Sequence, residues 1–394
     1  MTDAAFAHTR SNAQWGAVLS MSLCVALLIA SEFMPVSLLT PMAAGLDASE
    51  GATGQAISVS GLFALAASLL ITTAAGQFNR KWVLIALTAL ILASLVMVAM
   101  ARNFAVLIIA RAVLGICIGG FWALATAVMM RLVPSGDVPK ALSIMYGGQA
   151  IAAAFAAPLG AYLGDIFGWR VVFWALTPLV ALNLIWHLIA LPSLPARGRR
   201  NFGALIEVLR RPYFLRGLIA AMLSWGAAFT MFTYLRPFLE QVTGVDATLL
   251  PILLLVLGVA GFAGTWAAGR FVGDGVERLL KLPALVMGGV TLALILTGSS
   301  TLAVGILLAI WGAMNTALSV IFMTWMSQNV DDQAEAGGSL MVAAIQGSIL
   351  LGAVIGGLLL DAFSITATFA GAIALAAAAV ALIGNGQRML KPAN

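Results

Sequence analysis

The chain has 394 residues, of which 62% are hydrophobic and only 9% charged, with a formal net charge of +5. Soluble domains carry about 25% charged residues, so this composition excludes a water-soluble globule and points to an integral membrane protein. The basic residues are scattered over short loops, as membrane insertion would place them, so the positive charge predicts no nucleic-acid binding.

Met1 to Gln14 is a short polar tail leading into an apolar run too long for the core of a signal peptide, so the first span is expected to stay. Apolar runs separated by polar turns predict helices at 15–40, 52–76, 82–101, 104–131, 138–164 and 169–190. Leu191 to Arg211, with two prolines and five arginines, interrupts the pattern as the one long polar connection. Six more helices follow at 213–239, 247–272, 280–298, 301–327, 334–360 and 364–387. Such lengths suit helices crossing a hydrocarbon core of about 30 Å, whereas barrel strands would be short and alternating. The expected organisation is a six-helix bundle over 1–190, a cytoplasmic linker over 191–211 and a second six-helix bundle over 212–394.

With both termini in the cytoplasm, sixteen of the twenty Lys and Arg fall on that side and three on the other, so both ends are predicted to face the cytoplasm. The acidic stretch from Asp331 to Glu335 runs against this trend. A shift of 197 residues lays Gly115 on Gly312, Gln149 on Gln346 and Gly160 on Gly357. Two halves of like orientation imply a parallel repeat about an axis along the membrane normal, an arrangement found in alternating-access transporters.

Arg111 and Glu32 are the two ionisable groups predicted to lie deep in the membrane, opposite in sign and at similar depth. A mid-bilayer arginine costs about 2.5–3.5 kcal/mol on insertion scales, so it is expected to be paired or to face water. The pair is read as a proton-coupling site in which the carboxyl loads and releases a proton; a structural ion pair is the alternative. Arg111, Gly115, Ile118 and Trp122 share one helix face. Trp225, Phe229 and Phe232 form an aromatic stripe, and Trp311 and Asn315 stack on another helix. With Gln149 and Gln346, the candidate substrate contacts are Trp122, Gln149, Trp225, Phe229, Asn315 and Gln346, groups able to stack on and hydrogen-bond a flat polar molecule such as a nucleobase or nucleoside. Polar residues place the central cavity mainly among spans 1, 4, 5, 7, 10 and 11. His187 reads as an interface residue, and Cys24 and Cys117 as small core residues. No nucleotide-binding loop, metal-protease motif or pair of intramembrane acids is present, so neither an ATP-driven pump, a cofactor, a metal nor an enzyme is expected.

Several stretches resemble the major facilitator superfamily, and within it the drug, sugar and nucleoside proton antiporters: SEFMPVSLLTPMAAGL from Ser31, RAVLGICIGGFWA from Arg111, AAPLGAYLGDIFGWRVVF from Ala156 and FTYLRPFLE from Phe232. Arg111 with Gly115 resembles the fourth-helix motif whose arginine is implicated in proton coupling. Pro158 and Gly160 resemble the antiporter motif, with Ala157 where glycine is usual, and Glu32 resembles the first-helix acid of exporters. In the loop motif GQFNRK, Asn79 precedes Arg80 where the family has an aspartate, and Asp274 keeps an acid in the second half. SLLTPM, GGFWA, AAPLG and LPSLP resemble the purine-ribonucleoside exporters of this superfamily. The resemblance implies an all-α fold of twelve transmembrane helices in two six-helix repeats. It further implies a monomeric, proton-coupled exporter of purine ribonucleosides in the bacterial cytoplasmic membrane, the alternatives being a sugar or multidrug exporter or an uncoupled facilitator.

Overall fold

The computed structural model describes residues 13–134, 137–195, 202–272 and 275–392. In chain order the helices are α1 (Trp15–Ser37), α2 (Leu39–Gly45), α3 (Glu50–Ala74), α4 (Arg80–Ala99), α5 (Phe104–Leu132), α6 (Val138–Phe167) and α7 (Trp169–Ala190). They continue as α8 (Phe202–Leu209), α9 (Pro212–Thr233), α10 (Leu235–Phe238), α11 (Leu249–Phe271), α12 (Lys281–Thr297), α13 (Thr301–Asn329), α14 (Ala334–Ala362) and α15 (Ile365–Ile383). Twelve helices among the described residues are long and apolar enough to cross a membrane, and these residues contain no strand. An all-helical answer follows from the solvent: in hydrocarbon each backbone N–H and C=O must find its partner within its own segment.

Two predicted spans stop early, and for the same reason. The first breaks at Leu38 and the seventh at Tyr234, each three residues before a proline, Pro41 and Pro237. Proline has no N–H to offer the carbonyl four residues back, so the helix loses a rung there and restarts as a short helix. The carbonyl that Pro41 cannot serve is that of Ser37, and it is taken by the guanidinium of Arg236 from the other half of the chain.

Helix packing repeats between the halves. α3 packs on α5, α1 on α6 and on α7, and α4 on α7; the counterparts α11 on α13, α9 on α14 and on α15, and α12 on α15 pair in the same way. The halves meet through α3 against α14 and α6 against α11, two contacts that the internal repeat exchanges. At the second, a Cβ on Gly258 would lie 2.4 Å from the carbonyl oxygen of Ala154, so the backbones touch directly. One connected core holds residues from Ala17 to Leu194, and another, at the terminal end of the second half, gathers Val208 of α8 with Phe214, Trp325 and Met389.

The face opposite the termini is sealed by hydrogen bonds from one half to the other. Ser49 Oγ donates to Asp361 (2.7 Å) and so does Gly51 N (3.1 Å). Thr40 contacts Glu240 (2.6 Å), Gln241 donates to Glu50 (3.0 Å), and Arg236 donates to Ser37 O. Tyr234, fully buried, donates to Ala353 O (2.7 Å) and reaches Gly51 O (3.4 Å), its ring seated where side chains on Gly54, Gly356 or Gly357 would collide with it.

The terminal face explains the acidic loop that ran against the charge pattern. Arg211 grips Asp332 with two bonds of 2.8 and 2.5 Å, and Lys391 Nζ binds Asp331 at 2.7 Å. The tail is strapped down as well, by Trp325 Nε1 on Met389 O (2.9 Å) and Lys391 N on Asn329 Oδ1 (2.7 Å). The Arg211 guanidinium holds the Asp332 carboxyl down to about 2, and the Lys391 ammonium lowers Asp331.

Candidate functional site

Arg111 sits two turns into α5 and is 1% exposed; Glu32 on α1 is 5% exposed. The structural ion pair that stood as the alternative is not formed among the described residues. The guanidinium instead donates to Ser31 O (3.0 Å) and to Ser60 Oγ (2.9 Å). Ser60 passes its own proton to Ile57 O (2.8 Å), which leaves its oxygen free to accept. The carbonyl and the hydroxyl serve the two terminal nitrogens of the fork, while the buried Nε has no hydrogen-bond partner among the described residues. Gly115 makes this reach possible, because a Cβ there would stand 2.3 Å from Ser60 O and hold α5 away from α3. Glu32 has no hydrogen-bond or ion-pair partner among the described residues.

The residue after Glu32 opens onto a cavity between the halves. Its wall includes Phe33 of α1, Phe229 and Phe232 of α9, Thr265 of α11, and Trp311 and Asn315 of α13. The rings form a connected set: Phe33 lies 6.4 Å from Phe229 and 6.0 Å edge-on from Phe232, and Phe232 stacks on Trp311 at 6.0 Å and 11°. The Thr265 hydroxyl is spent on Gly261 O (3.0 Å), whereas the Asn315 amide has no partner among the described residues and can turn to an occupant. Aromatic faces with a single free amide suit a flat, partly apolar solute.

Of the six residues singled out from the sequence as substrate contacts, Phe229 and Asn315 line this cavity; Trp122, Gln149, Trp225 and Gln346 do not. Trp122 stacks on Tyr146 of α6 (6.1 Å, 18°), and Gln149 is half-buried on the same helix. Trp225 turns into the second-half core against Phe322 (5.6 Å), and Gln346, 5% exposed, lies where α14 meets Gly61 of α3. The helices lining this cavity are spans 1, 5, 7, 8 and 10; spans 4 and 11 of the expected set do not line it, and span 8 does. Phe33 was legible only as the neighbour of Glu32; α11 contributes glycines and one threonine, too little polarity to stand out.

Asn79 caps α4 by accepting from Lys81 N (3.0 Å), accepts from Leu194 N (2.8 Å) and donates to Ser193 Oγ (2.7 Å). It therefore ties the loop before α4 to the segment after α7. Arg80 N joins the same tie by donating to Leu194 O (2.8 Å). Pro158 lies inside α6, and a Cβ on Gly160 would meet Ser37 Oγ at 2.8 Å, placing this pair at the α1–α6 contact. Asp274 lies outside the described residues. His187 departs from its expected interface position: it is fully buried and shares a 3.1 Å hydrogen bond with Thr88.

Comparison with known proteins gives a consistent picture. Residues 21–344 match the Major Facilitator Superfamily. The chain is 41% identical over 377 residues to the transcription regulatory protein OpdE of Pseudomonas aeruginosa, covering 95% of this chain and 94% of that protein. It is 40% identical over 356 residues to the purine ribonucleoside efflux pump NepI of Salmonella paratyphi B, covering 90% of each. Among solved structures it resembles a D-xylose–proton symporter (TM-score 0.74, 14% identity, 95% of this chain and 98% of that one). It also resembles a bacterial homologue of the human lysosomal transporter Spinster in an inward-facing, occupied conformation (TM-score 0.72, 14% identity, 95% and 96%).

Proposed function

The chain belongs to the major facilitator superfamily of membrane transporters, and we propose that it exports purine ribonucleosides or their analogues in exchange for protons. One observation carries this reading: three consecutive residues of α1 connect the parts such an exchanger needs. Ser31 offers its carbonyl to Arg111, Glu32 supplies a buried carboxyl without a hydrogen-bond partner among the described residues, and Phe33 forms part of the aromatic wall of the cavity. A proton on Glu32 and a solute beside Phe33 would thus be felt by the same turn of helix, which is the coupling that antiport requires. The solute is named from the aromatic rings with the free Asn315 amide and from the 40% identity to a purine ribonucleoside efflux pump.

In this reading residues 1–190 and 212–394 are two bundles that rock about the cavity, joined by the connection over 191–211, with both termini in the cytoplasm. The sealed face is then the outer one, and the cavity fills from the cytoplasm. Export needs no ATP: one proton crossing about 100 mV supplies roughly 2.3 kcal/mol, enough for more than a tenfold gradient of a neutral solute. Gene regulation, the role in the Pseudomonas relative's name, has no counterpart in a cavity between membrane helices, whereas transport of an effector does.

Everted vesicles with an acidified lumen test the reading. Inosine or guanosine should enter them and raise the lumenal pH. Uptake of xylose or chloramphenicol in place of nucleosides supports a sugar or drug exporter, and nucleoside uptake without a pH change supports a facilitator.

A further inference from the structure

The sealed face carries a hydrogen-bond chain whose hydrogens do not balance unless it holds an extra proton. Thr40 Oγ1 lies 2.9 Å from Glu50 Oε1 and 2.6 Å from Glu240 Oε2. A hydroxyl has one hydrogen and donates to one acceptor. With both carboxyls ionised, one of these contacts would be oxygen against oxygen with nothing between, beside two like charges drawn from opposite halves of the molecule.

The neighbours decide where the missing hydrogen sits. Arg236 Nε donates to Glu240 Oε1 (2.7 Å), so Glu240 already has its counter-charge; Glu50 forms no ion pair among the described residues and feels Arg236 only at longer range. Gln241 Nε2 donates to Glu50 Oε2 (3.0 Å), which leaves Oε1 as the oxygen able to carry a proton toward Thr40. The other charged groups at this face include Asp47, Arg102 and Asp165, which have no hydrogen-bond partner among the described residues, and Asp246, which accepts from Thr248 N (3.1 Å) and Leu249 N (2.8 Å). Asp361 accepts from Ser49 and Gly51 N, and Arg170 donates to Gly45 O and Ala101 O.

We propose that Glu50, Thr40 and Glu240 form a proton-binding latch, in which a proton on Glu50 completes a chain from Glu50 through Thr40 to Glu240 and so fastens α2 and α3 to the segment after α9. The proton enters and leaves from the sealed side only, so it is not carried across. It makes closure of this face favourable when that side is acidic, the moment at which a proton-driven exporter must turn back toward the cytoplasm; this assignment of side rests on the function proposed above.

The test uses full-length protein in lipid nanodiscs with spin labels at Ala44→Cys and Ala247→Cys, exposed positions on this face in the two halves; the native Cys24 and Cys117 are buried. As pH falls from about 8.5 to about 5.5, the short-distance population should grow, its ratio to the long one changing by up to about tenfold per pH unit, the signature of one linked proton. Glu50→Gln, whose amide donates to Thr40 without a proton, should stay closed throughout. A parent protein whose distances ignore pH, or a Glu50→Gln variant that follows the parent curve, overturns the latch. Titration lost in Glu32→Gln but kept in Glu50→Gln overturns it too, and leaves Glu32 as the proton site. Nucleoside movement is not part of this readout, so failure of the exporter reading would show in the vesicles and not here.

Discussion

At the scale of single residues, the deep charges behave differently from a simple ion pair. Arg111 is held by Ser31 O and Ser60 Oγ, which leaves Glu32 free of any fixed donor among the described residues. A carboxyl locked in a salt bridge would gain little by giving up its charge, whereas one left beside a cavity can change its protonation as water reaches it. Under the proposed function, Glu32→Gln should abolish nucleoside export driven by a pH step while leaving nucleoside binding within a few-fold of the parent, measured by vesicle flux and by calorimetry; pH-driven flux at parental rate would remove Glu32 as the carrier. Asn79 shows how a residue outside the family pattern can be satisfied locally. Asn79→Ala removes a helix cap and should lower stability by about 1–2 kcal/mol, read as a fall in the thermal midpoint. Asn79→Asp should be tolerated, because the Ser193 hydroxyl can turn and donate to the new carboxylate. Charge and type were legible at these positions, but partners were not: which acceptor a buried guanidinium finds depends on how closely two helices approach, and that was set by Gly115, a residue that carries no charge signal.

Elements carry the closure. The α9–α10 break puts Tyr234 into a socket of Gly54, Gly356 and Gly357, and the α2 break frees Ser37 O for Arg236. Gly357→Ala would bring a methyl to 2.5 Å from the tyrosine oxygen. Overpacking of this kind costs about 1–3 kcal/mol, so the closed-to-open ratio of this face should fall by roughly tenfold, visible as a longer distance between the labels at positions 44 and 247. On the terminal face, Arg211 ties the end of the connection to the loop before α14. Because Asp332 is held down to about 2 in the folded protein, the contribution of this tie is complete above the ordinary carboxylate range near pH 4 and is lost only as pH falls through the folded value. Hydrogen exchange around 207–213 should stay slow in the parent from pH 7 to about 4.5 and be fast in Asp332→Asn already at pH 7. The short helix α8 was not legible within a stretch dominated by arginines, yet its Val208 is fully buried in the second-half core.

For the whole molecule, the twelve spans were legible because runs of apolar residues as long as the bilayer is thick have one stable conformation there. The repeat was legible too, and it reappears as the exchange of α3–α14 for α6–α11 contacts between the halves. The lining of the cavity was read only in part. Trp225 and Phe229 share a helix stripe, yet Phe322 covers the first while the second faces the cavity, and no pattern within one helix reveals what its neighbour brings. The ring set that joins the halves has a further use. Trp311, one of ten tryptophans, is 1% exposed and stacked on Phe232, which in turn touches Phe33 across the divide. Parting the halves would wet that indole and shift its emission to longer wavelength, and an inosine ring slipped alongside would dim it. The difference spectrum between the parent and Trp311→Phe should therefore follow turnover optically, with no dye attached.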